Sequence, residues 1–169
     1  MKYNRRNVIA MSTALLLSGW GSSRRAFAGS PKNLALTALD TSPLIYLSPI
    51  VSNDKESSCH AEVWFVYRDE EIFVVTWADK WKAEAMRRGF SRAKIWIGDF
   101  GPWKSANKRY LSAPSLRLEG RFENDPEIHS TLLVEFSSKY KNEWSFWDTR
   151  VRDGLVNGDW VLMRYQVVS

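Results

Sequence analysis

Two runs of β-favouring residues, Ala61 to Tyr67 and Glu71 to Thr76, flank the polar tripeptide Arg68-Asp69-Glu70, and this pairing constrains the fold more than any other feature. Val, Phe, Trp and Tyr dominate both runs, and a three-residue polar link is the length of a tight turn, so the segment predicts an antiparallel hairpin. Just beyond it the period changes. From Lys80 to Gly89, Trp81, Ala85 and Met86 fall on one face and charges on the other, which predicts a helix stopped at Gly89. A hairpin followed by a helix does not fit the regular alternation of a doubly wound parallel sheet, and no glycine-rich phosphate loop follows the first strand.

The rest of the chain supports the same class. Leu44 to Val51, Ala93 to Phe100, Ser115 to Glu123 and Asp159 to Val168 read as strands, the third alternating Leu116, Leu118, Gly120 and Phe122. Asn33 to Leu39 reads as a short amphipathic helix. A second helix opens at Asn124-Asp125-Pro126 and runs to about Tyr140, with proline in its first turn. Glu143 to Asp153, with Trp144 and Trp147, reads as another helical stretch. Pro102 to Ser112 is polar but holds Trp103 and Tyr110, as a flap lying over something would. The order β-β-β-α-β-β-α-(α)-β predicts a mainly β fold with helices (α+β), a mostly antiparallel barrel.

At 169 residues the chain is long enough to build one core without staples, and its single cysteine rules out an internal disulfide. Cys59 is therefore either a buried, inert thiol, which is the expected state, or a free one. The net charge of +5 is local. Five of the 24 cations (Lys2, Arg5, Arg6, Arg24 and Arg25) lie in residues 1–28 with no acid beside them, and the other 19 balance 19 carboxylates. An electrically balanced body lacks the basic face that phosphate-backbone binding requires, so no nucleic-acid partner is expected.

Residues 1–28 follow the order of an export leader: a charged start, an apolar run from Val8 to Leu17, a polar break, and Ala26-Phe27-Ala28 before Gly29. The small residues Ala26 and Ala28 suit a signal peptidase, which places cleavage after Ala28. The apolar run is well short of the ~20 residues of a membrane-spanning helix, so no lasting membrane anchor is expected. Arg5-Arg6-Asn7-Val8-Ile9 resembles a twin-arginine signal, whose route carries folded proteins, with the general secretory route as the alternative. The expected organisation is a leader (1–28), an N-terminal segment (29–43) and one domain (44–169) in the periplasm or outside the cell.

Familiar catalytic patterns are missing. The two histidines, His60 and His129, are not at metal-ligand spacing, and there is no Gly-x-Ser-x-Gly elbow. Cys59-His60 is adjacent in sequence, but neighbours on an extended strand face opposite ways, so the two are not expected to converge.

The hairpin and the turn after it, Glu62-Val63-Trp64-Phe65-Val66-Tyr67 and Glu71 to Thr76 followed by Trp77-Ala78-Asp79-Lys80-Trp81-Lys82, resemble the flavin-binding split-barrel superfamily, the pyridoxamine-5′-phosphate oxidase-like and deazaflavin-dependent reductase group. The strand ending in Thr76 with Lys82 six residues on, Arg117 to Arg121 followed by Asn124-Asp125-Pro126, Lys139-Tyr140, and the last strand all match in order. The loop Ser52 to Ser58 and the absence of an arginine from Ala61 to Tyr67 depart from the pattern.

The resemblance implies FMN or a deazaflavin held between paired subunits, and a small-molecule oxidoreductase. On the residues, Thr76, Lys80 and Lys82 would meet the phosphate, and Trp64, Phe65, Trp77 or Trp103 would line a flat ring slot. Only one of the neighbours Trp64 and Phe65 can face any given side. Arg87-Arg88 could add a second phosphate clamp. The alternative is a non-catalytic exported binding module using the same groove for haem or another small ligand.

Overall fold

The computed structural model describes residues 30–168, so the leader and its cleavage point lie outside the described residues. Seven strands form one antiparallel sheet: β1 (Ile45–Pro49), β2 (Ala61–Val63), β3 (Val66–Arg68), β4 (Glu71–Trp77), β5 (Arg92–Ile97), β6 (Ser115–Glu123) and β7 (Trp160–Val168). Their spatial order is β2-β1-β5-β6-β7-β4-β3. Four helices complete the fold: α1 (Pro31–Thr41), α2 (Trp81–Arg87), α3 (Pro126–Lys139) and α4 (Lys141–Asn157). The predicted α+β class and mostly antiparallel barrel are what is observed.

One expected strand is two. The run from Ala61 to Tyr67 breaks at Trp64-Phe65, so that β2 pairs with β1 while β3 pairs with β4. The two edges of the sheet are therefore joined by two residues, which holds Val63 and Val66 no more than about 11 Å apart and forces the sheet to curl. Tyr140 holds the break. Its hydroxyl accepts from the Phe65 N–H at 2.9 Å and lies 3.0 and 2.9 Å from the carbonyl oxygens of Phe65 and Pro43. Buried backbone groups that leave the ladder here are thus satisfied by a side chain.

Alternation along the strands sorts the side chains into separate cores. Ile72 and Val74 of β4 point into the barrel with Ile45, Leu47, Ile95, Leu118 and Met163, and Ala35 and Leu39 of α1 join them. Phe73 and Val75 point the other way and pack beneath α3 and α4 with Leu132, Phe136, Trp144 and Leu162. This two-sided burial explains why β4 is apolar throughout. A third cluster joins Tyr46 of β1 and Trp96 of β5 to Ala106 and Tyr110 of the 102–112 segment, which covers the outer face of these strands as the flap reading anticipates.

Helices α1 and α4 run longer than their sequence patterns, and α2 and α3 fall slightly inside theirs. Ser30 caps α1 by accepting the Asn33 N–H, and α4 begins immediately after Tyr140 and ends at Gly158, whose φ of 88° suits a glycine. No helix among the described residues is long and apolar enough to cross a membrane.

Candidate ligand-binding site

The barrel is open beside β4. Pairing with β3 stops at Phe73, so Val74 to Trp77 have β7 on one side and, among the described residues, no strand on the other. A cavity of about 490 Å³ fills that gap, within the usual size for small-molecule sites. Its walls come from the broken strand (Glu62, Val63, Trp64), the free half of β4 (Val75, Thr76, Trp77), α4 (Trp144, Trp147, Val151), Trp160 of β7, and Leu44. Lys80 and Lys82, on the turn into α2, complete the lining.

Five tryptophans therefore face one cavity. Trp64 stacks on Tyr140 with centroids 4.7 Å apart, and Trp77 lies 4.3 Å from Trp160. Trp147 meets Trp160 at 5.9 Å in a T-shaped contact. Gly154 makes this arrangement possible, because a Cβ at that position would collide with the Trp160 ring. Flat apolar walls of this kind suit a planar ring system.

The polar end of the cavity is cationic. Lys82 Nζ donates to Thr76 Oγ1 at 3.3 Å, and no carboxylate among the described residues lies within 4 Å of it. Burial pushes its pKa below the usual lysine value, Cys59, Glu62 and Asp79 acting weakly in the opposite direction. With one of its three donors engaged, the ammonium retains two for a ligand. Lys80 is exposed and pairs with Asp79 at 3.2 Å. The Glu62 carboxylate is occupied by the Trp103 N–H at 3.0 Å. A partly desolvated cation beside a hydroxyl, at one end of an aromatic slot, has the chemistry to accept an anionic group carried on a flat ring.

Five of the six residues read from the sequence as ligand-binding (Trp64, Thr76, Trp77, Lys80 and Lys82) line this one cavity. Phe65 does not. It is fully buried in the barrel core, with the Lys139 ammonium 3.4 Å from its ring centroid. That contact removes the ammonium from water and lowers the Lys139 pKa to about 8. Trp103 lies beside a different, smaller cavity.

Arg87 and Arg88 both bond Glu84, and Arg87 also reaches the Ala78 carbonyl oxygen, so neither lines the cavity. His129 Nε2 sits 2.7 Å from the Glu123 carbonyl oxygen. Helix α2 is only two turns long, so the lysine charges, rather than its dipole, set the local field.

Cys59 corrects two expectations. It is an exposed free thiol, and it shares the smaller cavity with His60, because both residues precede β2 in irregular chain where strand alternation does not apply. Trp144, Trp147 and Trp160 escaped the sequence reading as site residues, and an unusual number of tryptophans was their only signal. Among the described residues no group of three or more His, Cys, Asp or Glu is placed to hold a metal ion.

The sequence matches no protein-family model and no curated protein. Solved structures are similar in shape. HutZ, the haem storage protein of Vibrio cholerae, superposes with a TM-score of 0.54 at 13% identity, covering 83% of this chain and 90% of HutZ. Campylobacter jejuni ChuZ gives a TM-score of 0.57 at 13% identity over 86% of this chain, which spans 56% of ChuZ. A Listeria innocua protein assigned as a pyridoxamine 5′-phosphate oxidase gives 0.52 at 13% identity, covering 82% and 94%. Identities this low establish the architecture and nothing finer: the chain folds as a split β-barrel of the pyridoxamine 5′-phosphate oxidase type.

Proposed function

We propose that this chain is an exported split-barrel protein that holds FMN or a related flavin in the cavity beside β4 and carries out a small-molecule oxidoreduction. Lys82 carries this reading: a partly buried ammonium, without a carboxylate partner among the described residues, hydrogen-bonded to Thr76 beside a slot walled by five tryptophans. In it the flavin phosphate meets Lys82, Thr76 and Lys80, and the ring lies among Trp64, Trp77, Trp147 and Trp160. The flavin supplies the redox chemistry, and the chain binds, orients and shields it. Trp77 remains 39% exposed at the rim, which leaves an apolar surface for the second subunit of the homodimer that the split-barrel resemblance implies.

Haem is the weaker reading, although HutZ stores it. Among the described residues no histidine, cysteine or methionine lines the large cavity, so those residues offer no nitrogen or sulfur ligand of the common kinds for haem iron. A flavin needs none.

The test is the visible spectrum of protein purified with its own leader and then titrated with FMN. Flavin bands on the purified protein, or quenching of FMN fluorescence on addition, are expected, since tryptophan stacked on the ring is an effective quencher. A Soret band overturns the flavin assignment in favour of haem, and a colourless protein that ignores FMN and deazaflavin leaves only a binding module for another ligand. Export has a separate test. Changing Arg5→Lys together with Arg6→Lys is expected to block secretion, and unchanged secretion overturns the twin-arginine route.

A further inference from the structure

Lys80 and Lys82 stand between two cavities. Beside the large one lies a second of about 150 Å³, and both lysines line it too. Leu47, Pro49 and Ala61 supply its aliphatic wall, and Trp81 and Trp103 supply rings. An apolar cavity of about this volume takes up one six-membered ring and nothing larger.

The walls are fixed by contacts outside the cavity. Ser57 Oγ accepts both the Trp81 indole N–H at 2.8 Å and the Cys59 backbone N–H at 3.1 Å. The Trp103 N–H donates to Glu62 at 3.0 Å. His60 has Trp96 and Trp103 against its ring, with centroids 5.2 and 6.5 Å away, and its Nδ1 is 3.0 Å from the Tyr110 hydroxyl. It is therefore a wall of the cavity and not a stacking partner for a ligand.

The charge at this cavity has one sign. Among the described residues no carboxylate lines it. Burial lowers the His60 pKa, which leaves that ring neutral near pH 7. The lysines set the field: Lys82 spends one of three donors on Thr76, and the Lys80 pair with Asp79 is exposed and weak. We propose that this cavity is a second binding site, for a monocyclic aromatic carboxylate whose ring fills the cavity and whose carboxylate lies at the two lysines. The volume excludes fused rings and sugars, and the two cations select an acid over its neutral analogue. Because the walls are already held, little side-chain ordering opposes binding. The site does not depend on the flavin reading.

Cys59 is the chain's only cysteine and lines this cavity, so its labelling reports occupancy. The full chain is labelled with a maleimide in the presence of benzoate, acetate, benzyl alcohol or 2-naphthoate. Benzoate is expected to slow labelling at a concentration at least about tenfold lower than any of the others, a difference of about 1.4 kcal/mol. Acetate lacks the ring, benzyl alcohol lacks the charge, and 2-naphthoate is one ring too large. Combining Lys80→Met with Lys82→Met keeps both stems and should abolish the preference for benzoate over benzyl alcohol. Labelling that benzoate does not slow, or that another of the four slows equally, overturns the inference, as does a preference that survives the double substitution. FMN and benzoate would share the lysines, so FMN should raise the benzoate concentration needed for half-protection. FMN that binds without doing so overturns the phosphate placement of the flavin reading and leaves the benzoate site standing, whereas failure of benzoate leaves the FMN titration untouched.

Discussion

Replacing Arg164 by Met is expected to destabilise the fold by about 3 kcal/mol, near the lower end of the cost of breaking a buried ion pair. Arg164 sits on β7 between two strands. Its Nε donates to Glu71 of β4 at 2.7 Å and its Nη1 to Glu123 of β6 at 2.9 Å, while Gln166 donates to the other Glu71 oxygen at 2.8 Å. The side chains are 24%, 9% and 11% exposed, so the variant would strand two largely buried carboxylates.

The pH dependence gives a second signature. The Arg164 hydrogen bond holds Glu71 below its usual pKa, with Gln166 adding to it. Burial pushes Glu123 upward, but backbone N–H donation from Asp125 together with Arg164 outweighs this and leaves it lowered. Carboxylates with lowered folded values contribute stability above their unfolded pKa and lose it as pH falls through the folded value. In Arg164→Met both groups instead protonate readily. The deficit should therefore be largest near pH 7 and shrink below about pH 4, where the unfolded carboxylates also protonate. Urea unfolding at several pH values measures this, and a deficit that does not change with pH would exclude the ion network as its source.

What could be read from sequence was what is local. The hairpin turn, the period change after Thr76 and the six-residue spacing to Lys82 are properties of short windows, and each survives in the fold. The break at Trp64-Phe65 was invisible because its cause is the hydroxyl of Tyr140, 75 residues away. That break decides which of the two aromatics faces the cavity. Without it, Ala61 to Tyr67 would read as an unbroken edge strand and β4 would have no free half. In the same way Trp144, Trp147 and Trp160 converge only because α4 lies against β7 at Gly154, a contact that no strand or helix period encodes. Cys59-His60 was misjudged because strand alternation was applied to residues outside any strand.

These observations separate stability from binding along one strand. Arg164 and its partners lock the Glu71 end of β4 to β7 and β6, while Val74 to Trp77 at the other end have a neighbour on one side only. The sheet is therefore anchored at one end of β4 and open at the other. Arg164→Met should change unfolding without changing the affinity of the folded protein for its ligand.

Lys82→Met is expected to do the reverse, lowering FMN affinity between about tenfold and a hundredfold, the worth of a hydrogen bond to a charged group. Met keeps the apolar stem and removes only the ammonium, so the wall of the cavity stays filled. Fold stability should hold or rise, because burial has pushed the Lys82 pKa down and a desolvated charge is being removed. The sign follows from linkage. With a lowered folded pKa, the native chain releases this proton before the unfolded chain does, so the wild type gains stability as pH climbs from that lowered value towards about 10.5. The variant lacks that gain. Ligand affinity moves the other way, since the phosphate needs the charged form: wild-type binding should weaken as pH rises through the lowered value, and binding to Lys82→Met should stay flat over the same interval. FMN titrations from pH 6 to 10 on both proteins provide the comparison, and parallel pH profiles would remove Lys82 from the phosphate site.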